Sequence, residues 1–565
     1  MDTSGGLKAA LPPRTDWVVF GVAAALTLAF IIWGAISTDT LEGVSSSMLS
    51  WTMHNLGWAF VLAASGFVVF VLWLAFSKYG KITLGSDDEQ PEFRTVSWIA
   101  MMFSAGMGIG LMFYGVNEPL THFTAPPPGT HEATAPVAER METSLATTLF
   151  HWTVHPWSIY AVVGLAIAYG CYRRGRRQTI SAVFTPLIGE RRANGGFGKV
   201  IDILAIFATL FGSAASLGLG ALQIGSGVKV VGWMPEVGVG VLITIIAVLT
   251  LAFVLSAVSG VEKGIQWLSN TNMVLALALV LFVFLAGPTV LILNLIPTSI
   301  GSFFGELTQM AARTEATGGE DVATWLSGWS VFYWAWWISW TPFVGMFIAR
   351  ISRGRTIRQF VGGVILVPSV VSLVWFAVFG GTGMQSEAAG SGLAQQATPE
   401  GQLFALLNEF PIAGVTTLLV MILVGIFFVS GADAASIVMG TLSQRGSMEP
   451  TRVVVVIWGV LTGAVAAIML LIGGGGDTAL NGLKNLTILA AVPFMLVMVF
   501  MCVALTRDLR RDPLILRGQR GEEAVESAVI AGHELYNGEF ELGVVPANTN
   551  GDGDGNDDEK VVAGK

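Results

Sequence analysis

The chain has 565 residues, of which 53% are hydrophobic and only 12% charged, with a mean hydropathy of +0.68. A soluble protein carries about 25% charged residues, so this composition excludes a soluble globular domain and points to a chain that crosses a membrane many times. Two cysteines, Cys171 and Cys502, exclude a disulfide framework or cysteine metal site, and the net charge of −9 gives no argument for nucleic acid.

The opening MDTSGGLKAALPPR lacks the layout of a cleaved leader, and the apolar run after it is long enough to be kept as a first helix. Apolar segments of spanning length occur near 16–37, 52–77, 95–115, 144–170, 199–224, 236–259, 268–296, 325–350, 358–381, 403–434, 452–474 and 485–506. The expected fold is an all-α polytopic membrane protein of 12 transmembrane helices. With the N-terminus inside, the inner loops hold 17 Lys and Arg, and the outer loops hold four: Arg140, Lys229, Arg313 and Lys484. That bias fixes orientation, and an even number of spans places both termini in the cytoplasm.

Three stretches do not span. Residues 181–189 (SAVFTPLIG) are expected to lie on the inner surface, and 300–313 (IGSFFGELTQMAAR) as an amphipathic helix on the outer surface or against a neighbouring subunit. The tail from 507 starts basic, with Arg507, Arg510 and Arg511, then turns acidic. Its last part, NTNGDGDGNDDEK, cannot bury a core and lacks the frame of a calcium loop, so a largely disordered, solvated tail is expected.

Within the third span, MMFSAGMGIGLMFYGVNEP carries Gly106, Gly108 and Gly110. Each glycine costs roughly 1 kcal/mol against alanine inside a helix. Gly106 and Gly110 alone form a small-residue packing pair. The alternative is an unwound midpoint, tolerated in a membrane only where the freed backbone faces protein, ligand or a wet cavity. The fourth span holds FHWTVHPWSIY at 150–160 and the eighth holds FYWAWWISWTPF at 332–343. Tryptophan in membrane helices belongs at the interfaces, yet both clusters fall near the centre of their spans. Ring faces there would attract a cation, and quaternary ammonium groups suit aromatic cages. Neither cluster contains Asp or Glu, which favours a zwitterion that brings its own carboxylate to the unwound N–H groups. His151 and His155 would be a proton relay or structural hydrogen-bond donors, and Asp433 a functional or a paired intramembrane carboxylate.

At these residues the chain resembles the betaine/carnitine/choline transporter family. GMGIGLMFYG, FHWTVHPWSIY, FYWAWWISWTPF, LIGE, ISRGR and SNTNMV carry the likeness, which runs from about residue 50 to 507 and is strongest to sodium-coupled glycine betaine transporters of corynebacteria. The resemblance implies two inverted five-helix repeats in a LeuT-like core, at 95–296 and 325–506. Helices 1 and 2 (16–94) would lie outside it, after a tail at 1–15. An outer amphipathic segment (297–324) would join the repeats, 507–565 would follow as a tail, and the whole would form a trimer. It implies a cage of Trp152, Trp157, Tyr160 and Trp337, with Trp336, Trp340, Phe332 and Met107 along the path beside Gly106, Gly108 and Gly110. It implies one sodium site at Thr209, Ser213 and Phe343, and a second at Ser104, Met107, Phe427, Ser430 and Gly431.

Gly431 stands where sodium-coupled relatives carry a serine, and so offers no hydroxyl. Gly110 stands where choline-transporting relatives carry an aspartate, which points to betaine, ectoine or proline-like substrates. The expected activity is sodium-driven import of a zwitterionic compatible solute across the bacterial inner membrane, in response to osmotic stress, with no cofactor beyond the coupling ion. Proton-coupled or ion-independent exchange on the same scaffold is the alternative. An osmotically gated channel is the alternative from another class, and a midplane cage opposes it. No nucleophile–base pair or metal-ligand spacing supports an enzyme.

Overall fold

The computed structural model describes residues 15–106, 108–259, 262–472 and 479–543, and among them everything regular is helical apart from one isolated bridge, Thr83 to Thr356. The twelve expected spans correspond to α1 (Trp17–Ile36), α2 (Thr38–Phe76), the pair α3 (Thr95–Gly106) and α4 (Ile109–Thr124), and the pair α5 (Val137–Trp152) and α6 (Val154–Ala168). These are followed by α7 (Gly196–Val230), α8 (Val239–Ser259) and α9 (Glu262–Ala286). After α10 (Thr289–Ala311) and α11 (Gly319–Gly328), the series continues with α12 (Ser330–Arg350), α13 (Ile357–Ala388), the short α14 (Gly401–Asn408), α15 (Ala413–Ser443), α16 (Arg452–Ile472) and α17 (Ala479–Leu509).

Ten described stretches are long and apolar enough to cross a membrane, with α5 and α6 counted as one and α10 among them; the α3–α4 pair, α9 and α12 are not among the ten. The α3–α4 pair is broken, and α12 is diluted by tryptophan, tyrosine and serine. Large apolar side chains stay exposed along the outside, including Leu62, Val69, Leu255, Leu277, Leu285 and Leu366, each more than half accessible. So much apolar surface has its natural solvent in lipid chains.

The three most extensive helix packings are α6 on α12, α7 on α15, and α4 on α13. The first element of each half thus packs on the second of the other, and the third on the third.

Several boundaries differ from the sequence reading. The seventh span ends at Ala286 rather than 296, because Gly287–Pro288 stops the helix. The amphipathic segment then starts at Thr289 and runs unbroken through Pro297 to Ala311, burying Ile292, Leu295, Ser299, Phe303 and Met310 against α5 and α13. Residues 181–184 do not lie flat on the surface. They are buried against α7 and α17, where the Asp202 carboxylate accepts the Ser181 N–H (2.9 Å) and hydroxyl (2.8 Å).

The chain divides after Leu509 into two units. The second, expected to be largely disordered, contains a 24-residue helix, α18 (Pro513–Tyr536). Asp512 caps it by accepting the Leu514 N–H, and Pro513 takes the first-turn position where its missing donor costs nothing. The stretch NTNGDGDGNDDEK lies outside the described residues.

Candidate functional site

The glycine stretch is broken. Between α3 and α4, Gly108 is fully extended (φ −172°, ψ 179°). Met107 lies outside the described residues, and so does the surrounding of Gly106. Gly110, on the first turn of α4, is required by close approach: a Cβ there would meet ring carbons of Trp152 at 2.8 Å and Trp336 at 2.9 Å. The fourth span breaks as well, at Thr153 (φ −119°, ψ −104°), because Pro156 cannot donate to the preceding turn. That break lies between Trp152 and Trp157.

Trp152, Trp157, Tyr160, Trp336, Trp337 and Trp340 line one cavity together with Gly108 and Gly110. Trp336 and Trp337 stack at 4.7 Å and 13°, Trp152 meets Trp337 edge-on at 5.0 Å, and Tyr160 lies 6.2 Å from Trp337. Four indole N–H groups are taken by protein. Trp152 donates to Glu118 Oε2 (2.6 Å), Trp336 to Ser216 Oγ (3.1 Å), Trp337 to the His151 carbonyl (3.0 Å) and Trp340 to the Gly212 carbonyl (2.9 Å). With their donors committed, these indoles have only ring surface to offer a ligand, which selects for a cation without N–H groups. The cavity is small, about 40 Å³. Phe332 does not line it; it stacks on Trp336 at 5.5 Å, one helical turn towards the start of α12.

A second cavity of about 210 Å³ lies towards the Arg350 end of α12. It brings together Ser104, Ser213, Phe343, Phe427, Ser430 and Gly431, and shares Gly108, Trp340 and Val344 with the cage. Thr209 does not line it: this residue is fully buried one turn before Ser213, with its hydroxyl donating to the Ala205 carbonyl at 2.8 Å. The same cavity contains Asn272, 2% exposed, whose amide oxygen and nitrogen both lack a partner among the described residues. The sequence reading quoted SNTNMV only for its family likeness and gave Asn272 no role, because two amides at alternate positions carry no recognised ligand spacing.

The reading also missed Glu118, although it stands in the same glycine stretch and an intramembrane carboxylate is a functional candidate by default. Glu118 is fully buried on α4. Its Oε2 accepts the Trp152 N–H (2.6 Å) and the Tyr333 hydroxyl (2.5 Å), and its Oε1 lies 2.6 Å from His151 Nδ1. His151 Nε2 in turn meets Ser330 Oγ at 2.9 Å. Several donors converging on one carboxylate offset its desolvation. Each aromatic cluster is free of acids in sequence, as expected, yet α4 supplies one that ties both together.

His155 turns away from this hub and stacks on Trp334 at 5.0 Å, with no hydrogen bond to His151. The two histidines therefore form no direct relay. Asp433 is buried on α15 and has no hydrogen-bond partner among the described residues. Glu118→Gln keeps the shape but removes the charge from bonds worth about 1.5–3 kcal/mol each when charged. The half-saturating substrate concentration for uptake is expected to rise about tenfold, and an unchanged value in a well-folded variant would show that Glu118 does not position Trp152.

The family described as BCCT, betaine/carnitine/choline family transporter, matches residues 18–514. The betaine/ectoine transporter LcoP of Corynebacterium glutamicum is 46% identical over 94% of this chain and 84% of its own. The glycine betaine transporter OpuD of Bacillus subtilis is 44% identical over 87% of this chain and 94% of its own. An ectoine/hydroxyectoine transporter of Virgibacillus pantothenticus is 38% identical over 87% of this chain and 96% of its own. A multi-pass helical chain with a broken third span and an aromatic cage at that break, matched from end to end of its membrane part, belongs to the betaine/carnitine/choline family of transporters.

Proposed function

We propose that this protein imports a zwitterionic, methylated compatible solute by sodium symport with alternating access, with glycine betaine as the leading substrate and ectoine and proline as the alternatives. It would act as a homotrimer in the bacterial cytoplasmic membrane, with both termini inside. The observation that carries this reading is the small cavity lined by six aromatic rings, four of whose indole donors are bonded to protein, set against the start of α4. A trimethylammonium suits the rings, and a carboxylate suits the unpaired N–H groups of a helix start. The solutes for which LcoP, OpuD and the Virgibacillus transporter are named, betaine and ectoines, agree with that class.

For the coupling ion, the larger cavity supplies hydroxyl oxygens from Ser213 and Ser430 and the unpartnered amide of Asn272. These are the hard donors a small monovalent cation favours. Asn272 offsets the hydroxyl that Gly431 lacks. Gly431 favours the second reading, proton coupling or ion-independent exchange on the same scaffold. The deciding experiment is uptake of labelled betaine, ectoine and proline into proteoliposomes, with sodium and proton gradients imposed separately. Uptake that ignores the sodium gradient would overturn sodium symport, and absence of uptake for all three would overturn the substrate class.

A Cβ at Gly431 meets nothing within 4 Å, so Gly431→Ser fits and adds one oxygen. At roughly 1 kcal/mol for the added ligand, the sodium concentration for half-maximal uptake should fall about fivefold. Asn272→Ala should shift it in the opposite direction. Sodium curves that superimpose for wild type and both variants would remove this cavity from the coupling mechanism.

A further inference from the structure

Lys484 lies on α17 at the end opposite Arg507, and its ammonium sits 5.0 Å above the ring of Trp329 and 5.1 Å above that of Phe332. Phe332 stacks on Trp336, and Trp336 stacks on Trp337 of the cage. The cation thus occupies the outer end of a continuous line of ring faces that leads into the site. An ammonium has three donors; one is used on the Gly328 carbonyl (2.8 Å), which caps the end of α11. No carboxylate lies within ion-pair distance of it among the described residues. Glu118 acts on it electrostatically from further away, but both oxygens of Glu118 are held by Trp152, Tyr333 and His151. Capping Gly328 accounts for one donor and leaves unexplained why the charge rests on two aromatic faces.

We propose that Lys484 is a specificity-determining residue: a tethered cation on an outer aromatic subsite, which a zwitterion can displace and a simple quaternary cation cannot. The inference rests on the reading under Proposed function. A quaternary ammonium approaching Phe332 competes with Lys484 for the same ring faces. If the ligand carries a carboxylate, the displaced ammonium gains a charge-assisted partner for its free donors. If the ligand is choline, displacement leaves two like charges together in a poorly solvated place, with nothing gained. Discrimination of this kind uses repulsion of the wrong ligand as well as attraction of the right one. It acts at the approach to the cage and is separate from any contribution of Gly110 inside it.

The test is titration of purified full-length protein in nanodiscs with glycine betaine and with choline, followed by tryptophan fluorescence, for wild type, Lys484→Met and Lys484→Arg. The neutral Lys484→Met is expected to bind betaine more weakly and choline more tightly, so that the ratio of their dissociation constants narrows about tenfold. Lys484→Arg keeps the charge and should retain the wild-type ratio. A ratio unchanged in Lys484→Met, with both ligands weakened equally or not at all, would reduce Lys484 to a helix cap and overturn the proposal. If wild type binds betaine, that failure is confined to Lys484. If wild type binds neither ligand, the zwitterion reading itself fails and this inference fails with it.

Discussion

Replacing Trp337 with leucine should weaken glycine betaine binding about thirtyfold. The ring is 5% exposed, stacks on Trp336 at 4.7 Å and closes on Trp152 at 5.0 Å. A cation on a desolvated indole face gains about 2 kcal/mol or more, which converts to that loss in affinity. Leucine keeps an apolar wall and removes the quadrupole. The indole N–H also disappears, which frees the His151 carbonyl. Trp337→Phe controls for this, because it loses the same hydrogen bond but retains a ring. Isothermal titration of the three proteins checks the assignment. Betaine binding at wild-type strength in Trp337→Leu would remove this ring from the cage, and equal losses in both variants would assign the effect to the hydrogen bond.

Substitution at Gly110 should have an effect of similar size and separates shape from charge. A Cβ falls 2.8 Å from Trp152 and 2.9 Å from Trp336, and indole rings cannot fold away as a flexible chain would. Gly110→Ala therefore forces these rings apart, at the ~1–3 kcal/mol typical of overpacking, and betaine uptake should fall at least about tenfold. Gly110→Asp imposes the same clash but places an anion beside the site. Its betaine affinity should fall as far as in Gly110→Ala, while choline, which lacks a carboxylate, should gain relative to the alanine variant. Uptake assays of both solutes in both variants test this. Choline binding equal in the alanine and aspartate variants would put substrate discrimination elsewhere. Wild-type betaine uptake in Gly110→Ala would show that Trp152 and Trp336 need not approach α4 as closely as they do here.

Much of this was legible before any coordinates. Apolar run lengths identify the spans, because a bilayer imposes a length on any helix that crosses it. The glycine spacing placed a break at 106–110, and the chain leaves the helix there, at Gly108. The aromatic clusters in spans four and eight contain the five tryptophans and the tyrosine that line one cavity, and also Phe332, which does not line it. These signals are local, carried by residue type and spacing along a single segment.

What the sequence could not settle concerns partners far apart in the chain. Glu118 bonds Trp152 and Tyr333 across 34 and 215 positions, Trp336 reaches Ser216 across 120, and Lys484 rests on Phe332 of another helix. No periodicity records such meetings, because they follow from how the helices pack. The sequence by itself determined a membrane-spanning helical chain, a broken third span and an aromatic site, since solvent and backbone chemistry dictate them residue by residue. Only the tertiary structure decided that the six rings meet around one small cavity, that four of its indole donors are committed to protein, that Asn272 joins the second cavity while Thr209 does not, and that one buried carboxylate joins both aromatic clusters. Those outcomes depend on distances of a few ångströms between helices, and packing alone sets them.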